Sequence, residues 1–376
     1  MLMKLLVNTA TSIKGGSLQV AQSFLESCRS HPEHSYAVIL SAPLAERVNP
    51  DDYPDNFTFV TAPYRPATRF WLPGGTSAFH KAFEAEVRPD VVFTTTGPAY
   101  FQPDVPHLVA YNLPHYIYPE SPFFTQINLY RALRWSIKKR IIRSAYRNEA
   151  TAIVGQSEDV AERAAAFLGI PNAHTVSNTC AAHFFEPPNG PSPLGGRDPQ
   201  RFRLLLLSDY YAHKNFELIP HIVTVLDQKG GEDVDFVLTL GDTDYERLVP
   251  PALRTRIINV GRVPNATAPA LYADTDAVFQ PSMLECFSAN YPEAMAMQRP
   301  IITADLGFAR SLCKDAAVYF DPLDPYAAAL QILRVKQDGA LRRSLVEAGA
   351  AWLPTFPTAD VRAEQYLALC EKLLAG

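Results

Sequence analysis

Short apolar runs alternate with amphipathic stretches along the first half of the chain. These runs are rich in β-branched, aromatic or leucine residues, as buried strands are, and they cover residues 5–8, 36–40, 56–60, 91–94, 107–111 and 151–154. The first run leads through a polar loop at 9–17 into helical spacing at 18–25. Because such crossovers join parallel strands, the pattern predicts a doubly wound sheet with binding loops at the carboxyl ends of its strands.

The pattern restarts after a stretch rich in proline and glycine at 186–196. Further strands are predicted at 203–207, 235–239, 256–260, 277–280 and 299–303, and an amphipathic stretch follows at 359–374. We therefore predict an α/β protein of two Rossmann-like, doubly wound domains that face a central cleft. The predicted domains are residues 1–185 and 186–356.

Composition limits the class of protein that this pattern can build. A chain of 376 residues suits two domains, and a net charge of −5 provides no basic field for nucleic acid. The five cysteines are scattered and include no Cys-x-x-Cys pair, which favours a reducing compartment. The opening apolar run stops at Asn8, too early for a signal peptide or a membrane span. These features predict a cytoplasmic protein with no nucleic-acid partner.

Two glutamates, Glu285 and Glu293, flank a predicted junction between a strand and a helix. The strand at 277–280 precedes Glu285, and helix-forming residues follow at 293–298. Glu285 is thus predicted to lie in the connecting loop and Glu293 on the helix. Carboxylates in these places can accept hydrogen bonds from the hydroxyl groups of a ligand.

The loop between the two glutamates predicts a receptor for phosphate. Backbone N–H groups near Phe287 and Ser288 are expected to be free where the helix begins, and the helix dipole favours an anion there. The alternative is purely structural. In it, Glu285 caps the helix in a box with Ser282, and Glu293 is an exposed helical residue.

Three consecutive segments, at 281–297, 299–305 and 315–325, extend this pattern. They contain Pro-Ser, Glu-Cys-Phe-Ser and Glu-Ala-Met-Ala, then Arg-Pro-Ile-Ile-Thr-Ala-Asp, then Asp-Ala-Ala-Val-Tyr-Phe-Asp-Pro. Together they resemble the donor-binding region of retaining glycosyltransferases of family 4, members of the GT-B class. The resemblance implies a GT-B fold, a nucleotide-diphosphate sugar as co-substrate with no further cofactor, and a last helix, at 357–376, that packs on the N-terminal domain.

The resemblance also implies roles for particular side chains. Lys214 falls on the family's lysine, whose compact charge suits the leaving diphosphate, and Ser208 and His213 accompany it as donor-binding residues. Asp209 stands where the family has an arginine. Because an aspartate would repel phosphate, His213 is the candidate for a substitute hydrogen bond.

By the same analogy, Glu293 binds the ribose of the nucleotide, and Glu285 with neighbouring amides holds the donor sugar. Gly15 and Gly16 follow the first strand, where the family keeps a glycine-rich loop that faces the donor. Glycine permits a close backbone approach to a ligand, although a plain turn would also explain this pair. The loop lacks the Gly-x-Gly-x-x-Gly fingerprint, which counts against a dehydrogenase.

Asn112 and His115 are two further catalytic candidates, and the choice between them is open. Both follow the predicted strand at 107–111, in a region where the family often has a histidine or asparagine near the donor sugar and the acceptor. Asn112 fits the sequence context better, whereas His115 offers proton transfer. The alternative for His115 is a packing or surface role.

No metal is predicted, although three Asp-x-Asp triplets, at 233–235, 242–244 and 274–276, superficially match the metal motif of the other large glycosyltransferase class. The GT-B resemblance makes a metal unnecessary, because Lys214 and the helix N-terminus can take the diphosphate charge. No His/Cys cluster has zinc spacing.

The segment 130–143 interleaves cations with apolar residues. One hypothesis is peripheral docking on anionic lipid at the inner membrane face, where the cleft would meet a lipid-linked acceptor. The other is an ordinary helix with a solvated basic face.

Together with this reading of the residues, the resemblance therefore implies a retaining, metal-independent glycosyltransferase. It would move a sugar from a nucleotide-diphosphate sugar to a glycan or lipid-linked acceptor, in surface polysaccharide biosynthesis. A nucleotide-sugar 2-epimerase of the same fold is one alternative. A non-catalytic sugar-nucleotide-binding protein is another, and Asp209 is the departure that motivates it.

Overall fold

The computed structural model describes residues 2–68, 77–127, 129–188 and 190–375, apart from the side chains of Ser77, Leu129 and Arg131. The chain divides into two compact units. The first contains Met1–Pro119, Ile127–Asn178 and Pro357–Gly376, and the second contains Glu120–Gln126 and Thr179–Phe356.

A seven-stranded parallel sheet forms the centre of the first unit, with the order β3-β2-β1-β4-β5-β6-β7. Its strands are β1 (Lys4–Asn8), β2 (Ser35–Leu40), β3 (Phe57–Thr61), β4 (Val91–Thr94), β5 (His107–Ala110), β6 (Ala152–Gly155) and β7 (Ala173–Thr175). Its helices are α1 (Gly16–Cys28), α2 (Ala42–Ala45), α3 (Ser77–Val87), α4 (Leu129–Glu149), α5 (Glu158–Leu168) and, from the end of the chain, α13 (Ala359–Leu374).

Successive residues of β1 reach two cores on opposite faces of this sheet. Leu5 packs in a cluster with Phe24 of α1 and Tyr366 of α13, and the two aromatic rings meet edge to face at 5.8 Å. Leu6 packs in a second cluster with Phe83 of α3. Burial on both faces explains why these strands read as continuous apolar runs.

Glu149, the last residue of α4, holds the loop that follows β4. Its buried carboxylate accepts the backbone N–H groups of Ala99 at 2.6 Å and Tyr100 at 2.8 Å. Burial raises the pKa of this carboxyl to about 8, and the backbone hydrogen bonds oppose that rise.

The second unit contains a six-stranded parallel sheet, with the order β10-β9-β8-β11-β12-β13. The strands are β8 (Phe202–Leu206), β9 (Val234–Leu238), β10 (Ile257–Asn259), β11 (Ala277–Gln280), β12 (Ile301–Ala304) and β13 (Ala317–Phe320). The helices are α6 (Leu218–Gln228), α7 (Asp242–Leu248), α8 (Ala268–Ala273), α9 (Asn290–Ala296), α10 (Gly307–Cys313), α11 (Pro325–Gln337) and α12 (Gly339–Trp352).

The structure divides the chain earlier than the boundary predicted after residue 185. Thr179 already belongs to the second unit, because Phe184 is buried edge to face on Tyr272, with ring centroids 5.6 Å apart. The carbonyl of Asn265 also lies 3.1 Å from Nε2 of His183. These contacts anchor 179–185 ahead of the proline-rich stretch that suggested the boundary.

Glu120–Gln126 is the other departure from the predicted division, since its sequence neighbours on both sides belong to the first unit. Ser121 is buried and donates its hydroxyl hydrogen bond to the carbonyl of Met283 at 2.7 Å. The ring of Phe123 lies 6.4 Å from that of His213, in an edge arrangement. The segment therefore packs on loops of the second sheet.

Candidate active site

The candidate residues of the second unit gather at the carboxyl ends of its strands. After β8 the chain makes a short 3-10 turn, Ala212–Lys214, which ends at Asn215 with a left-handed φ of 60°. The side chain of Asn215 is buried and donates to the carbonyl of Pro322 at 2.8 Å. This anchored turn fixes the backbone from which Lys214 projects.

Lys214 meets Glu285 across this edge. Its Nζ lies 2.5 Å from Oε1 of Glu285, and the two side chains are only 13% and 11% exposed. Glu285 lies in the loop between β11 and α9, as predicted. A charge pair so sheltered is screened less by salt than a surface pair is, so the structure brings the predicted cation and carboxylate together.

Backbone contacts hold the Glu285 loop against the turn of Lys214. The N–H of Met283 donates to the carbonyl of His213 at 2.7 Å. Within the described residues, the buried hydroxyl of Ser282 has no hydrogen-bond partner. The alternative in which Ser282 and Glu285 form a capping box is therefore wrong, because Glu285 is committed to Lys214.

A polar network shapes the segment between Glu285 and α9. Gln280 donates to the hydroxyl of Ser288 at 3.0 Å, and Asn290 donates to the carbonyl of Leu207 at 2.8 Å. No described residue accepts the backbone N–H of Phe287 or Ser288. The helix itself begins only at Asn290, so these two N–H groups lie in the loop before it rather than in its first turn.

Glu293 is buried on α9, not exposed as the structural alternative required. Its Oε2 accepts the hydroxyl of Tyr272 at 2.8 Å. Burial raises the pKa of Glu293 to about 7, while the Tyr272 hydrogen bond and the charge of Lys214 oppose the rise. Near neutral pH this carboxyl is therefore divided between its protonated and ionised forms.

Ser208 and His213 lie on the loop that follows β8. The N–H of Ser208 donates to the hydroxyl of Thr239 at 3.1 Å, and its own hydroxyl donates to the carbonyl of Asp209 at 2.9 Å. Burial, with the charge of Lys214 adding to it, lowers the pKa of His213 to about 3. His213 is thus neutral at physiological pH and can offer a hydrogen bond but no charge.

The candidates of the first unit lie at the carboxyl ends of its own strands. Gly15 precedes α1 with φ 59° and ψ −144°, a conformation that favours glycine, and a Cβ added to Gly16 would meet no atom within 4 Å. Oδ1 of Asn112 is buried with no hydrogen-bond partner in the described part of the chain. His115 stacks on Trp135, with ring centroids 4.6 Å apart. The functional roles of all four stay predictions.

Sequence reasoning missed two side chains that contact the residues singled out above. Tyr272, in the last turn of α8, donates to Glu293 on α9, and Arg262 follows β10 and pairs with Asp209 at 3.1 Å. Both contacts join separate elements of the unit, so no spacing or motif in the sequence predicts them.

The Asp-x-Asp triplets do not gather into a cluster. Asp235 pairs with Arg201, and Asp276 pairs with Arg197. Across the residues that the structure describes, no group of three or more His, Cys, Asp or Glu side chains could hold a metal ion. In the same residues, no helix is long and apolar enough to cross a membrane.

Comparison with known proteins identifies the second unit. Residues 197–352 match the sequence profile of the family described as glycosyl transferases group 1. This unit is a glycosyl transferases group 1 domain. The matched range of the group 1 domain contains Lys214, Glu285 and Glu293. No curated protein matches the chain.

Solved structures resemble the whole chain, not the group 1 domain alone. Sucrose-phosphate synthase from Thermosynechococcus elongatus is 16% identical, with a TM-score of 0.73 over 99% of each chain. WaaG, a glycosyltransferase involved in lipopolysaccharide biosynthesis, is 12% identical, with a TM-score of 0.73 over 97% of this chain and 99% of its own. HepE of Anabaena, solved in complex with UDP and glucose, is 15% identical, with a TM-score of 0.69 over 98% and 100%.

At these identities the likeness shows the fold. The predicted GT-B class, with two parallel-sheet α/β domains, is confirmed. Membership of family 4 and retention of configuration stay predictions.

Proposed function

We propose that the chain is a retaining, metal-independent glycosyltransferase that uses a nucleotide-diphosphate sugar. Its acceptor would be a glycan or lipid-linked sugar of a surface polysaccharide. The observation that carries the proposal is the sheltered pair of Lys214 and Glu285, 2.5 Å apart, inside a group 1 domain. The UDP and UDP-glucose bound in the similar HepE structures support a nucleotide-sugar donor.

The arrangement suits departure of a diphosphate. As the glycosidic bond breaks, negative charge grows on the leaving phosphate, and a fixed cation such as Lys214 stabilises that charge more than it stabilises the bound donor. Glu285 holds Lys214 in place before the donor arrives. The N–H groups of Phe287 and Ser288 would then donate to the phosphate, and Glu285 would accept donor hydroxyls.

Glu293 would bind the ribose. The hydrogen bond from Tyr272 uses Oε2, so Oε1 is the oxygen offered to a ribose hydroxyl. Retention is supported by the resemblance to family 4 and by the state of His213, whose pKa of about 3 makes it a poor general base for an inverting attack at neutral pH.

A donor screen followed by product analysis tests the proposal. UDP-, GDP-, ADP- and dTDP-sugars are compared by thermal shift, because a ligand of the folded state raises the melting temperature. Release of nucleoside diphosphate, with the anomeric configuration of the product read by NMR, is then measured with and without EDTA. We expect Lys214→Ala and Glu285→Gln to lose turnover by about 100-fold or more, with the α-anomeric configuration of the donor retained and EDTA without effect.

Lys336→Ala is the matched control, since Lys336 forms another lysine–carboxylate pair in the same unit, with Asp233 at 2.6 Å. It should turn over at the wild-type rate. Conversion of donor to an isomer without acceptor would favour the epimerase instead. Tight donor binding with no turnover would favour the non-catalytic protein that Asp209 suggests.

We further propose that α4 touches an anionic membrane, which would bring a lipid-linked acceptor to the enzyme. Leu133, Ile137 and Ile141 are exposed, whereas Ile142 and Tyr146 are buried. At about 3.6 residues per turn, Leu133 and Ile137 lie on the side of the helix opposite the buried pair. The segment 130–143 contains arginine and lysine but no acidic residue, so the exposed stripe is bordered by positive charge alone.

This surface supports both hypotheses about the segment: α4 packs through its last turns and leaves an apolar, basic face outside. Flotation with vesicles of phosphatidylglycerol and phosphatidylcholine at low salt tests the membrane contact. Wild type should float, and Leu133→Asp/Ile137→Asp should stay in solution while keeping its melting temperature. Failure of the wild type to float would remove the membrane from the proposal and leave the transfer reaction intact.

A further inference from the structure

Asp209 is the residue that fits a phosphate site least, yet it has a cationic partner. Nε of Arg262 lies 3.1 Å from Oδ1 of Asp209. The arginine comes from a distant part of the chain, the loop after β10, where Gly261 adopts a left-handed φ of 73°. The carboxylate and the cation thus reach one place from the ends of two different strands.

The guanidinium of Arg262 also lies beside a third loop. A Cβ added to Gly241, after β9, would lie 3.8 Å from Nε and 3.9 Å from Cζ of Arg262. The guanidinium therefore lies over backbone at the carboxyl end of the sheet. Lys214 projects from the same edge, five residues after Asp209.

Tyr211 connects the pair to the candidate active site. Burial raises the pKa of its phenol, with the charge of Asp209 raising it further and the charge of Arg262 opposing that rise. The charge of Glu285 also raises the pKa of the same phenol. The phenol of Tyr211 therefore lies within electrostatic reach of both ion pairs.

The exposed pair of Asp209 and Arg262 is easier for a ligand to separate than the sheltered pair of Lys214 and Glu285. The side chain of Arg262 is 74% exposed and that of Asp209 is 38% exposed, so solvent screens the attraction between them. Such a pair adds little to stability and separates easily. Each of the two cations at this edge of the sheet faces a carboxylate: Lys214 faces Glu285, and Arg262 faces Asp209. Their charges are therefore neutralised before a multiply charged diphosphate binds.

We propose that Arg262 is a second cationic residue for the diphosphate of the donor, and that Asp209 holds it in the free protein and competes with the ligand for it. This inference rests on the proposed use of a nucleotide-diphosphate sugar. It makes the two partners act in opposite directions on ligand binding. Loss of the arginine weakens binding of the diphosphate, and loss of the aspartate charge strengthens it.

Calorimetric titration of the full chain with UDP, UMP and uridine tests this. We expect Arg262→Ala to weaken UDP binding about tenfold or more, as loss of a charge-assisted contact does, and to leave uridine within about twofold of the wild type. Arg262→Lys should recover part of the loss because it restores the charge. Asp209→Asn should tighten UDP binding. Arg197→Ala, which removes an exposed arginine paired with Asp276 elsewhere in the unit, controls for net charge and should bind like the wild type.

Two results would overturn the inference while sparing the proposed function: UDP binding unchanged in Arg262→Ala, or UDP and uridine weakened equally. UDP binding weakened rather than tightened by Asp209→Asn would overturn the competing role of the aspartate. If the wild type bound neither UDP nor ADP, GDP or dTDP, the proposed function would fail and this inference with it.

Discussion

Glu293 should make nucleotide binding depend on pH, through its buried carboxyl. Its pKa of about 7 exceeds the ordinary value of 4.5 because burial disfavours the charge. Only the ionised form can accept hydrogen bonds from Tyr272 and from a ribose hydroxyl at full strength. With that pKa, about 9% of the carboxyl is ionised at pH 6 and about 91% at pH 8. If the ionised form alone binds, affinity should rise about tenfold between these values.

The sign follows from linkage. A carboxyl whose pKa is raised in the free protein binds a proton at pH 6, and the ligand must release that proton, so binding weakens as pH falls below 7 and a proton appears in solution. Calorimetry of the tightest-binding nucleoside diphosphate at pH 6, 7 and 8, in buffers of different ionisation enthalpy, measures affinity and proton release together.

Glu293→Gln is the decisive comparison, because the phosphate of the ligand also titrates near pH 6 and does so for both proteins. The ratio of wild-type to variant affinity should increase about tenfold from pH 6 to pH 8. Glu232→Gln, at an exposed position in the same unit, should follow the wild type. Equal pH dependence of the wild type and Glu293→Gln would refute the reasoning.

Three further predictions concern stability. Gly15→Ala should lower the free energy of unfolding by about 1–2 kcal/mol in chemical denaturation, because of the left-handed φ, whereas Gly16→Ala should be within about 0.5 kcal/mol of the wild type or stabilising; equal losses would contradict this. Glu149 should stabilise the protein most at low pH, and this contribution is lost as pH rises from its ordinary 4.5 towards its folded pKa of about 8, so the unfolding free energy of the wild type, relative to that of Glu149→Gln, should fall by on the order of 3 kcal/mol between pH 5 and 8; a constant difference would argue against the raised pKa. Lys214→Met should cost about 1–3 kcal/mol by leaving Glu285 without its cation, and adding Glu285→Gln should restore part of that loss; additive losses in this double-mutant cycle would show that the two side chains are not coupled.

The sequence predicts most of the fold because burial on both faces marks the central strands as apolar runs. Two edge strands, β7 and β13, were not predicted. β7 has three residues, Ala173–Thr175, none of them fully buried, and β13 is an edge strand of four residues. β7 buries too little surface to show as an apolar run, whereas three of the four residues of β13 are buried, so its omission has no such explanation.

Some residues of the candidate site could be predicted from the sequence and others could not. Lys214 and Glu285 could be predicted together because each follows a strand, and the carboxyl ends of parallel strands share one edge. Arg262 and Tyr272 could not, because their partners are set by how separate loops and helices pack. The same limit applies to Ser121, whose bond to Met283 spans 162 residues of sequence.

Glu120–Gln126 limits how this protein can be recombined with its relatives. The chain passes into the second unit at Glu120, returns at Ile127, passes over again at Thr179 and returns at Pro357. A single continuous gene fragment covering 179–356 would leave behind Ser121 and Phe123, and with them part of the packing around Met283 and His213. A chimaera that exchanges the second unit must therefore exchange two separate stretches of the gene, and natural shuffling of this unit faces the same requirement.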